Sequence, residues 1–142
     1  MIKRTAEAVW QGDLKDGKGN LELGSGAFKG QYSFSSRFEE GKGTNPEELI
    51  GAAHAGCFSM ALSADLSKAG YTVEEIRTEA SVSMEKGDGG FAITGVKLVS
   101  KARVKDITMD EFSNFASGAK KNCPVSKALA AVDIRLEAHL LK

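Results

Sequence analysis

Residues Gly43 to Leu66, GTNPEELIGAAHAGCFSMALSADL, constrain the fold of this 142-residue chain more than any other stretch. Asn45 can cap a helix, Pro46 suits the first helical position, and Glu48 at N3 completes a capping-box pattern. The helix predicted from this start runs to about Lys68, with Gly70 just past its end as a stop. Ala52, Ala53, Ala55, Gly56, Ala61 and Ala64 leave little side-chain bulk around its circumference. A helix this small and apolar almost all round is expected to be buried against close neighbours, not laid on a surface.

What surrounds it reads mostly as strand. Gly12, Gly17, Gly19, Gly24, Gly26 and Gly30 punctuate the candidates TAEAVW and GNLEL and read as hairpin turns. QYSFSSRF alternates, with Tyr32, Phe34 and Phe38 on one face and Ser33, Ser35 and Arg37 on the other, so Arg37 is expected as an edge charge pointing away from the aromatic face. After the helix, Ile76, Thr78, Ala80, Val82 and Met84 share a face, and GDGG makes a turn. The returning strand changes parity, from Phe91 and Ile93 to Val96, Leu98, Ala102 and Val104, which places a β-bulge at Gly95. Thr108 and Glu111 open a second capped helix carrying Phe112, Phe115 and Ala119, CPVSKALA opens a short third helix, and VDIRLEAHLL closes the chain as a strand. The order predicts a single α+β domain, residues 1–142, with an antiparallel sheet wrapped on the long helix.

Charge narrows the function. Lys and Arg together number 19, as do Asp and Glu, which gives no electrostatic support to a nucleic-acid or anionic-membrane partner. MIKRTAEAVW lacks the apolar core of a secretory signal, and no run approaches the ~18 apolar residues of a membrane span, so a cytoplasmic protein is expected. The two cysteines should then be reduced at rest. No CxxC is present, and two histidines are too few for an ordinary closed zinc site, so no metal or bound cofactor is expected.

The cysteines carry the chemistry that remains. Cys57 has Ala53, His54, Met60 and Ala61 as helical neighbours, a setting that fits an inert core thiol as well as a reactive one. Cys123 directly precedes Pro124, which places it near a helix N-cap, where unsatisfied N–H groups stabilise a thiolate; Lys120 and Lys121 add charge nearby. His54 stands three residues before Cys57 and invites a Cys–His nucleophile reading, but neither an orienting third group nor an oxyanion hole is visible, and a buried or interface histidine bonded to backbone is the better fit. His139 falls on the polar face of the last strand. Glu47 lies ten residues before Cys57 on the same helix, or about 15 Å along its axis. It cannot touch that sulfur in its own chain, so serving it requires an intervening cation or a second subunit.

RFEEGKGTNPEELIGAAHAGCFSMAL and NCPVSKAL together resemble the OsmC/Ohr family of thiol-dependent peroxidases, most nearly its OsmC branch, and the resemblance extends to the opening AVWQGDLKDGKG. It implies that Cys57 is the peroxidatic thiol and Cys123 the resolving one. It further implies that Arg37 and Glu47 form an ion pair that sets the guanidinium over the reactive sulfur. Members are intertwined homodimers with active sites at the interface, which would answer the distance from Glu47 to Cys57. The activity implied is reduction of organic hydroperoxides, and of hydrogen peroxide more weakly, with an external dithiol such as a lipoyl group as reductant. Phe58, Met60 and Leu62 around Cys57 favour organic substrates. The competing readings are a Cys57–His54 acyl-transfer catalyst, and a non-catalytic dimeric stress or ligand-binding protein whose cysteines are structural.

Overall fold

A computed structural model describes the chain from Met1 to Lys142. Its first strands follow the glycine punctuation: β1 (Ala6–Gln11), β2 (Lys18–Leu23) and β3 (Lys29–Tyr32) form an antiparallel sheet in that order. Gly19 is flanked across the sheet by Trp10 and Tyr32, whose rings sit 5.4 Å apart. A Cβ there would strike both rings, so this strand position has to be glycine.

The alternation read through QYSFSSRF stops at Tyr32. Ser33 instead caps a short helix, α1 (Phe34–Phe38), accepting from the Ser36 N–H while the Ser36 hydroxyl accepts from the Ser33 N–H. Phe34 and Phe38 are four residues apart, which puts them on one face in strand counting and about one turn apart in helix counting, so the pattern satisfies both periods; the reciprocal serine cap decides for helix. The Ser36 hydroxyl also donates to the Thr44 carbonyl, and Asn45 Nδ2 donates to the Ser36 carbonyl. These bonds tie α1 to the start of the long helix, α2 (Pro46–Lys68).

The two ends of α2 match their sequence signals. Asn45 Oδ1 accepts from the Glu48 N–H at 2.7 Å, while the Glu48 carboxylate accepts from the Thr44 hydroxyl. Gly70 has φ +96, its N–H donates to the Ser67 carbonyl, and Tyr71 N–H reaches back to Leu66, a Schellman closure. Burial along α2 departs from the expectation of a helix enclosed all round. His54, Phe58, Leu62 and Leu66 form a buried stripe, whereas Ala52, Ala53, Gly56, Met60 and Ala64 are exposed in the single chain. By length and composition α2 is also apolar enough to span a bilayer, contrary to the reading of the sequence, although a core helix meets the same criterion.

The chain divides into two compact units, Met1–Leu49 and Ile50–Lys142. The second is built on a second sheet, of β4 (Val73–Gly87), β5 (Gly90–Val104) and β6 (Asp133–Leu140), with β5 central. Its bulge falls where the parity changes, with Ser83 opposite Gly95 but Met84 opposite Ile93, so Thr94 is the extra residue. Phe91, expected on the inward face, is exposed near the hairpin end and lies beneath the Lys86 ammonium.

β4 and β5 pair antiparallel, but β5 and β6 pair parallel, which corrects the expectation of an antiparallel sheet. A parallel return needs a crossover, and α3 (Met109–Asn122) with α4 (Pro124–Ala128) supplies it. Thr108 caps α3, as predicted. Phe112, Ala116 and Ala119 of α3 pack with Phe58, Leu62 and Leu66 of α2 and with Val96, Leu98 and Ala102 of β5.

Phe112 is wholly buried in that core. Phe112→Ala should lower unfolding free energy by about 3–5 kcal/mol, because it removes the ring and leaves a cavity. Urea denaturation monitored by circular dichroism measures this loss.

Candidate functional site

The site's chemistry begins at one break between helices. Cys123 has φ −63 and ψ 139, so it ends α3 and serves as N-cap of α4, with Pro124 at the first helical position. Extended backbone at Cys123 aims its side chain at the start of α4, where Cys123 Sγ accepts from the Ser126 N–H at 3.3 Å. The expectation of an N-cap cysteine holds, with a serine as its partner; the Sγ bonds are to Ser126 and not to Lys120 or Lys121.

Cys57 reaches the same point from α2. Its thiol lies near enough to Cys123 and to the Val125 backbone N–H for both to act on its ionisation. Both thiols are free, Cys123 fully buried and Cys57 half-buried. Burial pushes the Cys57 thiol up from its ordinary value. The Val125 N–H pulls it down by stabilising a thiolate, and the neighbouring Cys123 pushes it up again. The fold therefore brings together two cysteines sixty-six residues apart in sequence.

Arg37 and Glu47 also meet, within the first unit. Arg37 Nε donates to both Glu47 oxygens at 3.1 and 3.2 Å, and its Nη2 donates to Oε1 at 2.7 Å. Arg37 is thus a paired, positioned cation in α1, not the edge charge that strand alternation implied. Glu47 is 8% exposed, so its carboxylate depends on the guanidinium for charge compensation. The guanidinium stands 5.3 Å from the Phe38 ring centroid, and with Trp10, Leu14, Tyr32, Phe34 and Phe38 it borders a cavity of about 250 Å³. An aromatic recess with one fixed cation suits a molecule that is apolar at one end and anionic or oxygen-rich at the other.

His54 does not pair with Cys57, nor is it bonded to backbone. It is wholly buried, and its Nε2 lies 2.7 Å from the Ser126 hydroxyl. Its Nδ1 has no hydrogen-bond partner, a condition that costs about 1–3 kcal/mol for a buried polar atom. His139 is exposed and bonded to Glu137.

Ser126 was not singled out in the sequence. Its one legible signal is its place at N3 of the helix Cys123 caps; its link to His54 spans seventy-two positions.

A family model described as OsmC-like protein matches residues 39–137. The chain belongs to the OsmC-like protein family. It is 50% identical over 140 residues to Peroxiredoxin OsmC of Escherichia coli (strain K12), an alignment covering 98% of this chain and 97% of that protein. The crystal structure of the organic hydroperoxide resistance protein OhrB of Bacillus subtilis superposes with a TM-score of 0.74 at 30% identity, over 94% of this chain and 97% of that one. An OsmC-like protein of Vibrio cholerae O1 gives a TM-score of 0.80 at 20% identity over 97% of this chain and 99% of that one, a likeness of fold. The α+β expectation and the resemblance stated from sequence are both borne out.

Desolvation holds His54 below its ordinary value near 6.5. The unfolded chain therefore binds that proton first, and stability falls as pH drops below about 6.5. In His54→Gln the loss of stability between pH 7 and pH 5 should be smaller than in the parent protein, as measured by paired urea titrations.

Proposed function

We propose that this protein is a cysteine-based peroxidase that reduces organic hydroperoxides through Cys57, with Cys123 resolving the oxidised intermediate. The observation that carries the reading is that the fold sets two free thiols near enough for one to affect the other's ionisation at the start of α4, beside the Val125 N–H. The Cys57 thiolate attacks one peroxide oxygen; an S–O bond forms, the O–O bond breaks, and the alkoxide leaves as an alcohol after taking a proton. The resulting sulfenic acid condenses with Cys123 to a disulfide and water. An external dithiol, such as a lipoyl group, restores both thiols by exchange.

Arg37 and Glu47 are assigned the electrostatic part of this reaction. A thiol that burial pushes up requires a cation to ionise near neutral pH, and the guanidinium held by Glu47 is the candidate. The aromatic recess beside Arg37 supports organic rather than inorganic peroxides as preferred substrates. The family match runs through the boundary of the two compact units, which supports reading residues 1–142 as one functional domain. The open face of α2, with Met60 76% exposed, supports a homodimer in which a second copy covers it. Cytoplasmic localisation belongs to the same reading.

Free-thiol titration after one equivalent of tert-butyl hydroperoxide tests the cycle. Both thiols should disappear within seconds in the parent protein and return with dihydrolipoamide, whereas Cys57→Ser should keep its remaining thiol. Survival of both thiols in tenfold excess peroxide would leave a non-catalytic binding protein as the better account. Arg37→Ala should slow Cys57 oxidation at pH 7 by roughly a hundredfold, the scale for losing one positioned charge donor. Because the rate follows the thiolate fraction, its pH–rate curve should rise only at higher pH than that of the parent, as read by stopped-flow oxidation.

A further inference from the structure

The peroxidase reading leaves one buried group without a task. His54 occupies a core position, and its only hydrogen bond goes to Ser126. Ser126, itself 4% exposed, has its hydroxyl 3.1 Å from Cys123 Sγ. The three groups form a line from the resolving sulfur through one hydroxyl to one imidazole nitrogen. Its directions are consistent: the Cys123 S–H donates to Ser126 Oγ, which frees the Ser126 O–H to donate to His54 Nε2. All three side chains are buried, so a proton leaving Cys123 has this hydroxyl as its hydrogen-bonded exit.

We propose that Ser126 and His54 form a proton relay that activates Cys123 for disulfide formation, with His54 as the terminal base. The inference rests on the peroxidase reading and concerns its second step. As Cys123 sulfur attacks the Cys57 sulfenic acid, its proton passes to Ser126 Oγ and the Ser126 hydroxyl proton passes to Nε2. The sulfur electron pair forms the S–S bond, and the Cys57 S–O bond breaks. The departing hydroxide recovers one proton from the imidazolium back through the Ser126 hydroxyl and leaves as water, with His54 neutral again. Cys123 is oxidised and the sulfenic sulfur reduced, so no further oxidant enters. Desolvation keeps His54 neutral at physiological pH, with a lone pair free to receive the proton. Ser126 touches a reacting atom; His54 acts through it and is a positioning and relay residue.

The test separates the two steps in the full-length protein with one equivalent of tert-butyl hydroperoxide. Dimedone trapping reports the Cys57 sulfenic acid, and loss of the second thiol reports the disulfide. His54→Gln and Ser126→Ala should each slow disulfide formation at least tenfold relative to Cys57 oxidation, so that the dimedone adduct accumulates. The double variant should be no slower than the slower single, because both changes cut one path. The parent should show a solvent deuterium isotope effect on disulfide formation that shrinks in both variants. Should His54→Gln fail to fold, Ser126→Ala decides alone. A ratio of the two steps within twofold of the parent in Ser126→Ala, or equal slowing of both steps, overturns the relay. If the parent forms no sulfenic acid at all, the peroxidase reading itself falls.

Discussion

Removing a thiol from water removes much of its reactivity, because the thiolate is the nucleophile and an apolar setting disfavours it. Cys57 is under that constraint, and its surroundings act on it in opposite directions. Core packing and the Cys123 sulfur push its pKa up, while the Val125 N–H draws it down. That N–H is available because Cys123 adopts extended backbone, ending α3 and starting α4 within a single residue. Pro124 then takes the one first-turn position that has no N–H to satisfy. A single backbone break therefore places the second sulfur, presents the donor to the first, and sets Ser126 against Cys123.

How much of this could be read from sequence depends on the range of the interaction concerned. Asn45, Pro46 and Gly70 fixed both ends of α2 because capping involves groups within a few residues of each other. The bulge at Thr94 was visible as a change of parity, and Cys123 as an N-cap through the proline that follows it. Residues 33–38 were not readable in the same way, because Phe34 and Phe38 fit both periods and the balance lay in a bond between Ser33 and Ser36. The parallel pairing of β6 had no local signal at all. A strand's alternation is the same in either direction, and only the crossover through α3 and α4 determines it.

The site divides along the same line. Cys57 and Cys123 were legible as candidates, and their pairing came from family resemblance; the approach itself is tertiary. Arg37 was assigned the right partner by that resemblance and the wrong element by strand counting, since its bidentate contact with Glu47 requires α1. The His54–Ser126 contact left no trace, being a side-chain contact between distant segments. The open face of α2 carries a related lesson. A helix of small residues was expected to be enclosed, and one chain encloses only the stripe through His54, Phe58, Leu62 and Leu66. The remaining face is apolar without being core, as a surface reserved for a second copy would be.

Burial also bears on what happens after the first oxidation. A sulfenic acid that waits can meet a second peroxide and pass to sulfinic acid, beyond rescue by a dithiol. The two sulfurs lie close enough for one to affect the other's ionisation, so in the proposed cycle resolution needs no long search by the chain. In the proposed cycle the second step also has to remove the proton on Cys123, which sits wholly buried and away from solvent bases. A hydroxyl at 3.1 Å backed by an imidazole at 2.7 Å provides an internal route for it. On that proposal, the packing that hinders ionisation of Cys57 would also keep its oxidised form beside a thiol with its own path to deprotonation.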